Sequence, residues 1–169
     1  MITVRPEAAG DEASIREVNE TAFAGPAEAD LVDKLRSARA ITLSLVAVSD
    51  GRIVGHALFS PVSIESDGSS LAGLGLGPVA VLPDFQRKGV GSLLMAAGIA
   101  QLRHEGYAYI VVLGHPDYYP CFGFRPSAEF GIKYEYDAPP EAFMILELRE
   151  GALAGHAGVA KYRPEFNGV

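Results

Sequence analysis

One cysteine, Cys121, is the whole thiol content of this 169-residue chain. An internal disulfide framework is therefore excluded, and with it most cysteine-based metal sites. No metal is expected. No apolar run approaches the length that crosses a bilayer, so a membrane partner is not expected. There is no basic excess: 14 Lys and Arg stand against 21 Asp and Glu, a net charge of −7. A chain of that sign repels nucleic acid unless it carries a local basic patch. The one local cluster is Arg87-Lys88, which suits a small phosphorylated ligand better than a polynucleotide. No internal repeat and no linker divides the sequence, so one domain over residues 1–169 is expected. Met1 leads straight into Ile2-Thr3-Val4-Arg5 without secretory character, which points to the cytoplasm.

What is present is an ordinary globular composition, 49% hydrophobic and 21% charged, with length enough for a substantial core. Residues 2–5 read as a strand. Helical spacing of Ile15, Val18, Ala22 and Phe23 predicts a helix over 9–23, and Leu31, Val32 and Leu35 predict a second over 27–37. Strands are predicted over 41–48, 53–64 and 71–82. Asp50-Gly51 and the Ser66–Ser70 stretch between them predict antiparallel turns. Residues 90–105 form the clearest helix, followed by a buried strand over 109–113. A strand, crossover helix and strand in this order imply a parallel pair. Residues 115–122 hold at most a short helix, because Pro120 interrupts it. Residues 125–136 and 143–148 are expected to close the fold as a strand pair. The tail from Gly151 gives no clear pattern.

The chemistry-bearing stretch is Gln86-Arg87-Lys88-Gly89-Val90-Gly91-Ser92. It follows an apolar strand and opens a helix. Glycines there let backbone amides close on an anion, which the helix dipole also favours. The spacing is Q-x-x-G-x-G. It is neither the G-x-x-x-x-G-K-S/T phosphate loop nor the G-x-G-x-x-G dinucleotide fingerprint. Gly75-Leu76-Gly77 supplies only half of the latter, since Ala80 stands where its third glycine belongs.

With Val79-Ala80-Val81 and Pro83-Asp84-Phe85 before it, and Tyr118-Tyr119-Pro120-Cys121-Phe122-Gly123-Phe124 after it, this motif resembles the GNAT family of N-acetyltransferases. The stretch from His115 to Phe124 further resembles a bacterial subgroup whose substrates are mostly unassigned. The order of elements matches to about Leu148. The resemblance implies an α/β fold with a mixed, splayed central sheet and helices on both faces. It implies acetyl-CoA as co-substrate and a primary amine, on a small molecule or a protein, as acceptor. The pyrophosphate is then expected at Arg87, Lys88, Gly89, Val90, Gly91 and Ser92. The pantetheine arm is expected along Val79, Ala80 and Val81, with Gly75–Pro78 as a bulge at the splay. An amide of that strand, such as Val81's, would polarise the thioester carbonyl. Tyr119 stands at the family's acid position, with Tyr118 second to it.

Plainer readings stand beside these. The glycine motif can be a bare strand-to-helix turn, and Tyr119 a packing aromatic. Cys121 is expected to be a small buried hydrophobe rather than a nucleophile. His56 is expected to be structural or solvent-facing. The strand over 71–82 carries no carboxylate, so the base is a water relay, His115, Glu20 or Asp30. A non-catalytic acyl-CoA sensor and a transferase for another acyl group remain alternatives. The closing strands and tail offer a homodimer contact.

Overall fold

The first strand, β1 (Ile2–Pro6), pairs antiparallel with β2 (Leu43–Ser49). β2 turns back into β3 (Arg52–Ser66) through Asp50-Gly51. Both turn residues take positive φ, +48° and +77°. That is the type I′ geometry whose twist matches paired strands. Helices α1 (Glu12–Ala22) and α2 (Ala27–Ser37) lie between β1 and β2 in sequence. α1 begins later than its spacing predicts. Asp11 is engaged by Arg5 at 2.7 Å and by the Ala8 amide at 2.7 Å, which holds residues 8–11 as a loop.

The computed structural model describes residues 1–169. After β3 come β4 (Ser69–Val81), α3 (Val90–His104) and β5 (Tyr109–Leu113). The chain finishes with β6 (Arg125–Pro126), β7 (Ile132–Tyr134), β8 (Phe143–Glu147) and β9 (Gly158–Lys161). The nine strands make one mixed sheet, ordered β1-β2-β3-β4-β5-β8-β6, with β9 bonded to β3 and β7. By contacts, the chain forms two compact units. One holds Met1–Ser60, Gly77–Gly98 and Pro164–Val169, and the other Pro61–Leu76 and Ile99–Arg163. Strands β3 and β4 and helix α3 contribute to both.

In the first unit, successive strand residues point to opposite faces. Val46 and Leu58 pack with Ile15, Leu31, Val32 and Leu35 of α1 and α2. The neighbouring positions Leu45 and Phe59 lie against Gly98 of α3. Helices therefore cover both faces, as expected.

In the second unit, β4 and β5 run parallel, but the pairing covers only Leu74–Leu76 against Ile110–Val112. β5 continues to Leu113 on β8 alone. This is the expected splay, and Gly77-Pro78 follows it directly. The strand predicted over 125–136 is broken into three pieces. β6 pairs with β8, a 3-10 turn covers Ser127–Phe130, and β7 turns away to pair in parallel with β9. Pro126 has no amide to extend a ladder, so pairing with β8 stops there. The tail that showed no pattern supplies β9, which lies between β7 and the Ser63–Glu65 end of β3.

Candidate active site

The glycine turn belongs to the first unit. β4 ends at Val81, and a 3-10 turn over Pro83–Phe85 leads to Gln86. The Gln86 side-chain amide donates to the Val81 carbonyl at 3.0 Å. The Leu82 amide donates to the Val54 carbonyl at 2.9 Å. Gln86 thus staples the turn to the strand it leaves, a role that the motif alone does not reveal. Arg87 and Gly89 then take positive φ, +61° and +83°. A Cβ on Gly89 would meet nothing within 4 Å. Glycine serves here for its backbone angle, and the space beside it is open to a ligand.

The first α-helical bond of α3 runs from the Leu93 amide to the Gly89 carbonyl at 3.0 Å. The amides of Val90 and Gly91 precede it, at the positive end of the dipole. No acidic residue lies in the first turn of α3, while Arg103 and His104 lie in its last. Arg87, Lys88 and Gly89 are exposed, and Lys88 Nζ lies 5.8 Å from the Phe85 ring centroid. Val90 is 1% exposed, with its side chain against Gly55, so only its backbone can meet a ligand. On β4, Val79 and Val81 are partly exposed and Ala80 is buried.

Tyr119 belongs to the second unit. β5 ends at Leu113, and the amides of Tyr118 and Tyr119 donate to the His115 carbonyl at 3.1 and 3.5 Å. A 3-10 turn over Tyr119–Phe122 follows, with Pro120 near its start. The Tyr119 ring fills the space beside Gly114. A Cβ on Gly114 would stand 2.4 Å from its Cε2. Tyr118 and Phe124 meet the ring edge-on, with centroids at 5.1 and 5.6 Å. Burial, with Tyr118 adding to it, pushes the Tyr119 phenol up to about 12. The group therefore keeps its proton at neutral pH, as a proton donor must. Cys121 is exposed, not buried as expected. The 3-10 turn presents it outward, and Phe124 fills the core instead.

The candidate bases fare differently. Glu20 and Asp30 are both engaged by Arg16, at 3.3 and 2.9 Å, and Asp33 joins them at 2.7 Å. His115 has an exposed side chain, and its carbonyl holds the turn. His56 is fully buried. Asn19 Nδ2 donates to its Nδ1 at 3.2 Å, because an amide nitrogen can only donate. The imidazole proton then sits on Nε2 and is donated to Ser44 Oγ at 2.9 Å. Ser44 in turn donates to Glu7 Oε1 at 2.7 Å, and Arg36 pairs with the same carboxylate. Burial opposes the Glu7 charge, but hydrogen bonds from Arg36 and Ser44 outweigh it and hold the carboxyl below its ordinary range. Reading the sequence missed Asn19 and Ser44 as partners of His56, and Glu7 and Arg36 behind Ser44. The period of β3 puts His56 on the face of Val54 and Leu58, which was the available signal. No group of three or more His, Cys, Asp or Glu side chains is placed to hold a metal, and no helix is long and apolar enough to cross a membrane.

Residues 3–127 match the family model described as an acetyltransferase (GNAT) domain. The chain is 34% identical over 165 residues to the uncharacterized N-acetyltransferase YhbS of Escherichia coli K12, covering 97% of this chain and 98% of that one. It is 42% identical over 155 residues to the uncharacterized N-acetyltransferase YjhQ of the same strain, covering 86% and 85%. The crystal structure of E. coli YhbS in complex with CoA superposes with a TM-score of 0.92, covering 98% of this chain and 92% of that one. A GNAT family acetyltransferase from Brucella melitensis in complex with acetyl-CoA superposes at 0.82, with 37% identity and 99% of each chain covered.

Proposed function

The chain belongs to the GNAT acetyltransferase family and is an N-acetyltransferase with acetyl-CoA as co-substrate, and we propose that it acetylates a primary amine by direct attack in a ternary complex. Acetyl-CoA supplies its acetyl group as a thioester, already activated toward an amine. Residues Arg87, Lys88, Gly89, Val90, Gly91 and Ser92 hold the pyrophosphate, chiefly through backbone amides. The open side of Gly89, at φ +83° and with nothing where its Cβ would stand, is the observation that carries this assignment. Val79, Ala80 and Val81 offer the pantetheine arm a strand edge.

Tyr119 holds a proton at Oη and gives it to the departing thiolate. The acceptor ammonium, with a reference pKa of about 10.4, must lose its proton before attack. Glu20 and Asp30 are engaged by Arg16, which leaves His115 or a water relay for that task. The experiment is a CoA-release screen across amine classes, with mass spectrometry of the products. Amine-stimulated release with an acetylated product is expected. Tight acetyl-CoA binding without any amine-stimulated release would make this chain an acyl-CoA-binding module instead.

A further inference from the structure

The second unit holds a cavity of about 300 Å³ outside the phosphate grip. It is framed by the 3-10 turn Ser127–Phe130, by β7 and by the Pro139-Pro140 loop. Three aromatic rings line it. Tyr134 stacks on Phe143, with centroids 4.7 Å apart and planes at 29°. Tyr136 meets Tyr134 edge-on at 5.5 Å and is 41% exposed, so the aromatic box has an open side. Ile132 adds apolar surface, and Lys133 and Asp137 contribute one charge of each sign. The opposite charges offset each other, so ring faces and apolar area do the selecting.

Ring contacts lead from the cavity toward the parallel pairing of β4 and β5. Tyr134 meets Tyr162 edge-on at 5.9 Å. Tyr162 lies across Gly75, where a Cβ would stand 2.8 Å from its Cε2, within the short parallel pairing of β4 and β5. Its backbone amide is anchored by Glu135 Oε1 at 2.7 Å. Tyr162, Tyr134 and Tyr136 thus form one aromatic wall.

We infer that this cavity is the acceptor pocket and that the acceptor is an arylalkylamine, its ring among Tyr134, Tyr136 and Phe143 and its amine directed along the wall toward Tyr119. The inference rests on the acetyltransfer reading. Rings favour offset and edge-on partners, and their faces attract an ammonium group as it enters. A linear polyamine or a lysine side chain has no ring to use this geometry.

The chain contains no tryptophan, so indole emission comes from the added indole amine alone. Titration of tryptamine with the CoA-bound protein should give a saturable change in that emission. Tyr136→Ala should weaken tryptamine binding by at least about tenfold, with CoA affinity by calorimetry unaltered. Tyr136→Leu, which keeps apolar volume without a ring, should behave as Tyr136→Ala does. In turnover, kcat/KM for 2-phenylethylamine should exceed that for butylamine by at least about tenfold, and Tyr136→Ala should bring the ratio to about one. No tryptamine binding, binding indifferent to Tyr136, or equal rates for the two amines overturns the pocket. Tyr136-dependent tryptamine binding with no amine acetylated keeps the pocket and overturns the transfer reading instead.

Discussion

The turn at residues 86–89 and the turn at 114–123 are both short, glycine-containing connections, yet they present their chemistry by different means. In the first, Arg87 and Gly89 adopt left-handed φ and the space beside Gly89 is empty. Its candidate donors are backbone amides, set by local geometry. In the second, the missing Cβ of Gly114 is space already filled by the ring of Tyr119. Its candidate donor is a phenol, held by Phe124 and Tyr118. A backbone-built site should lose ligand affinity by degrees when strained. A side-chain-built site should lose turnover when its neighbours move, with affinity for the donor kept.

The sharpest test of that contrast is Tyr119→Phe. Turnover at saturating amine should fall by about 10²-fold or more while acetyl-CoA affinity holds, since general-acid groups typically contribute 10²–10⁴-fold. Unchanged turnover would return Tyr119 to a packing role.

The His56 network extends the comparison to a site built from buried and half-buried side chains. Burial pushes the imidazole down to about 4, with Glu7 opposing and Arg36 reinforcing that fall. The folded value lies below the unfolded one of about 6.5, so the unfolded chain takes up the proton first. Stability from this group is complete above pH 6.5 and is lost as pH falls toward 4, by up to about 3 kcal/mol. Thermal melts across that window should show the loss, and His56→Gln should flatten it. A melting temperature level from pH 7 to 5 would break the argument.

Gly114→Ala comes next. A Cβ 2.4 Å from Cε2 must displace the Tyr119 ring, and turnover should fall by roughly tenfold. If Gly114 acts only through that ring, adding Gly114→Ala to Tyr119→Phe should cost little more, which a double-mutant cycle measures.

An effect of similar size, on affinity rather than turnover, is expected at the backbone-built turn. Gly89→Ala meets no steric neighbour, but a left-handed φ costs an L residue about 1–2 kcal/mol. Calorimetry should show acetyl-CoA binding weakened by up to that amount as the turn relaxes away from the left-handed conformation. Equal affinity would mean that the +83° conformation plays no part in holding the donor.

Much of the fold was legible because its signals are local. Residues 27–37 and 109–113 form the helix and strand that their patterns predict. Asp50-Gly51 makes its hairpin because both φ values are set within the turn. The stretch 125–136 misled because Phe130, Ile132, Tyr134 and Tyr136 alternate at strand period while its pairing partners change along its length. β6 bonds to β8, whereas β7 bonds to a segment some 25 residues further on. Cys121 misled for a similar reason. Hydrophobicity favours burial, but the 3-10 turn assigns the interior to Phe124.

By itself the sequence determined the family and the place of the glycine turn, because glycine spacing, turn dipeptides and helix period act over a few residues. Only the tertiary structure decided which partners each candidate side chain meets. Arg16 engages Glu20 and Asp30 across two helices, and His56 is enclosed by Asn19 and Ser44. Tyr119 owes its raised pKa to burial, and the aromatic cavity closes through Tyr134 and Phe143. Except for the local Arg16–Glu20 pair within α1, each of these depends on side chains from separate elements meeting in the fold. Short-range spacing carries no record of such meetings.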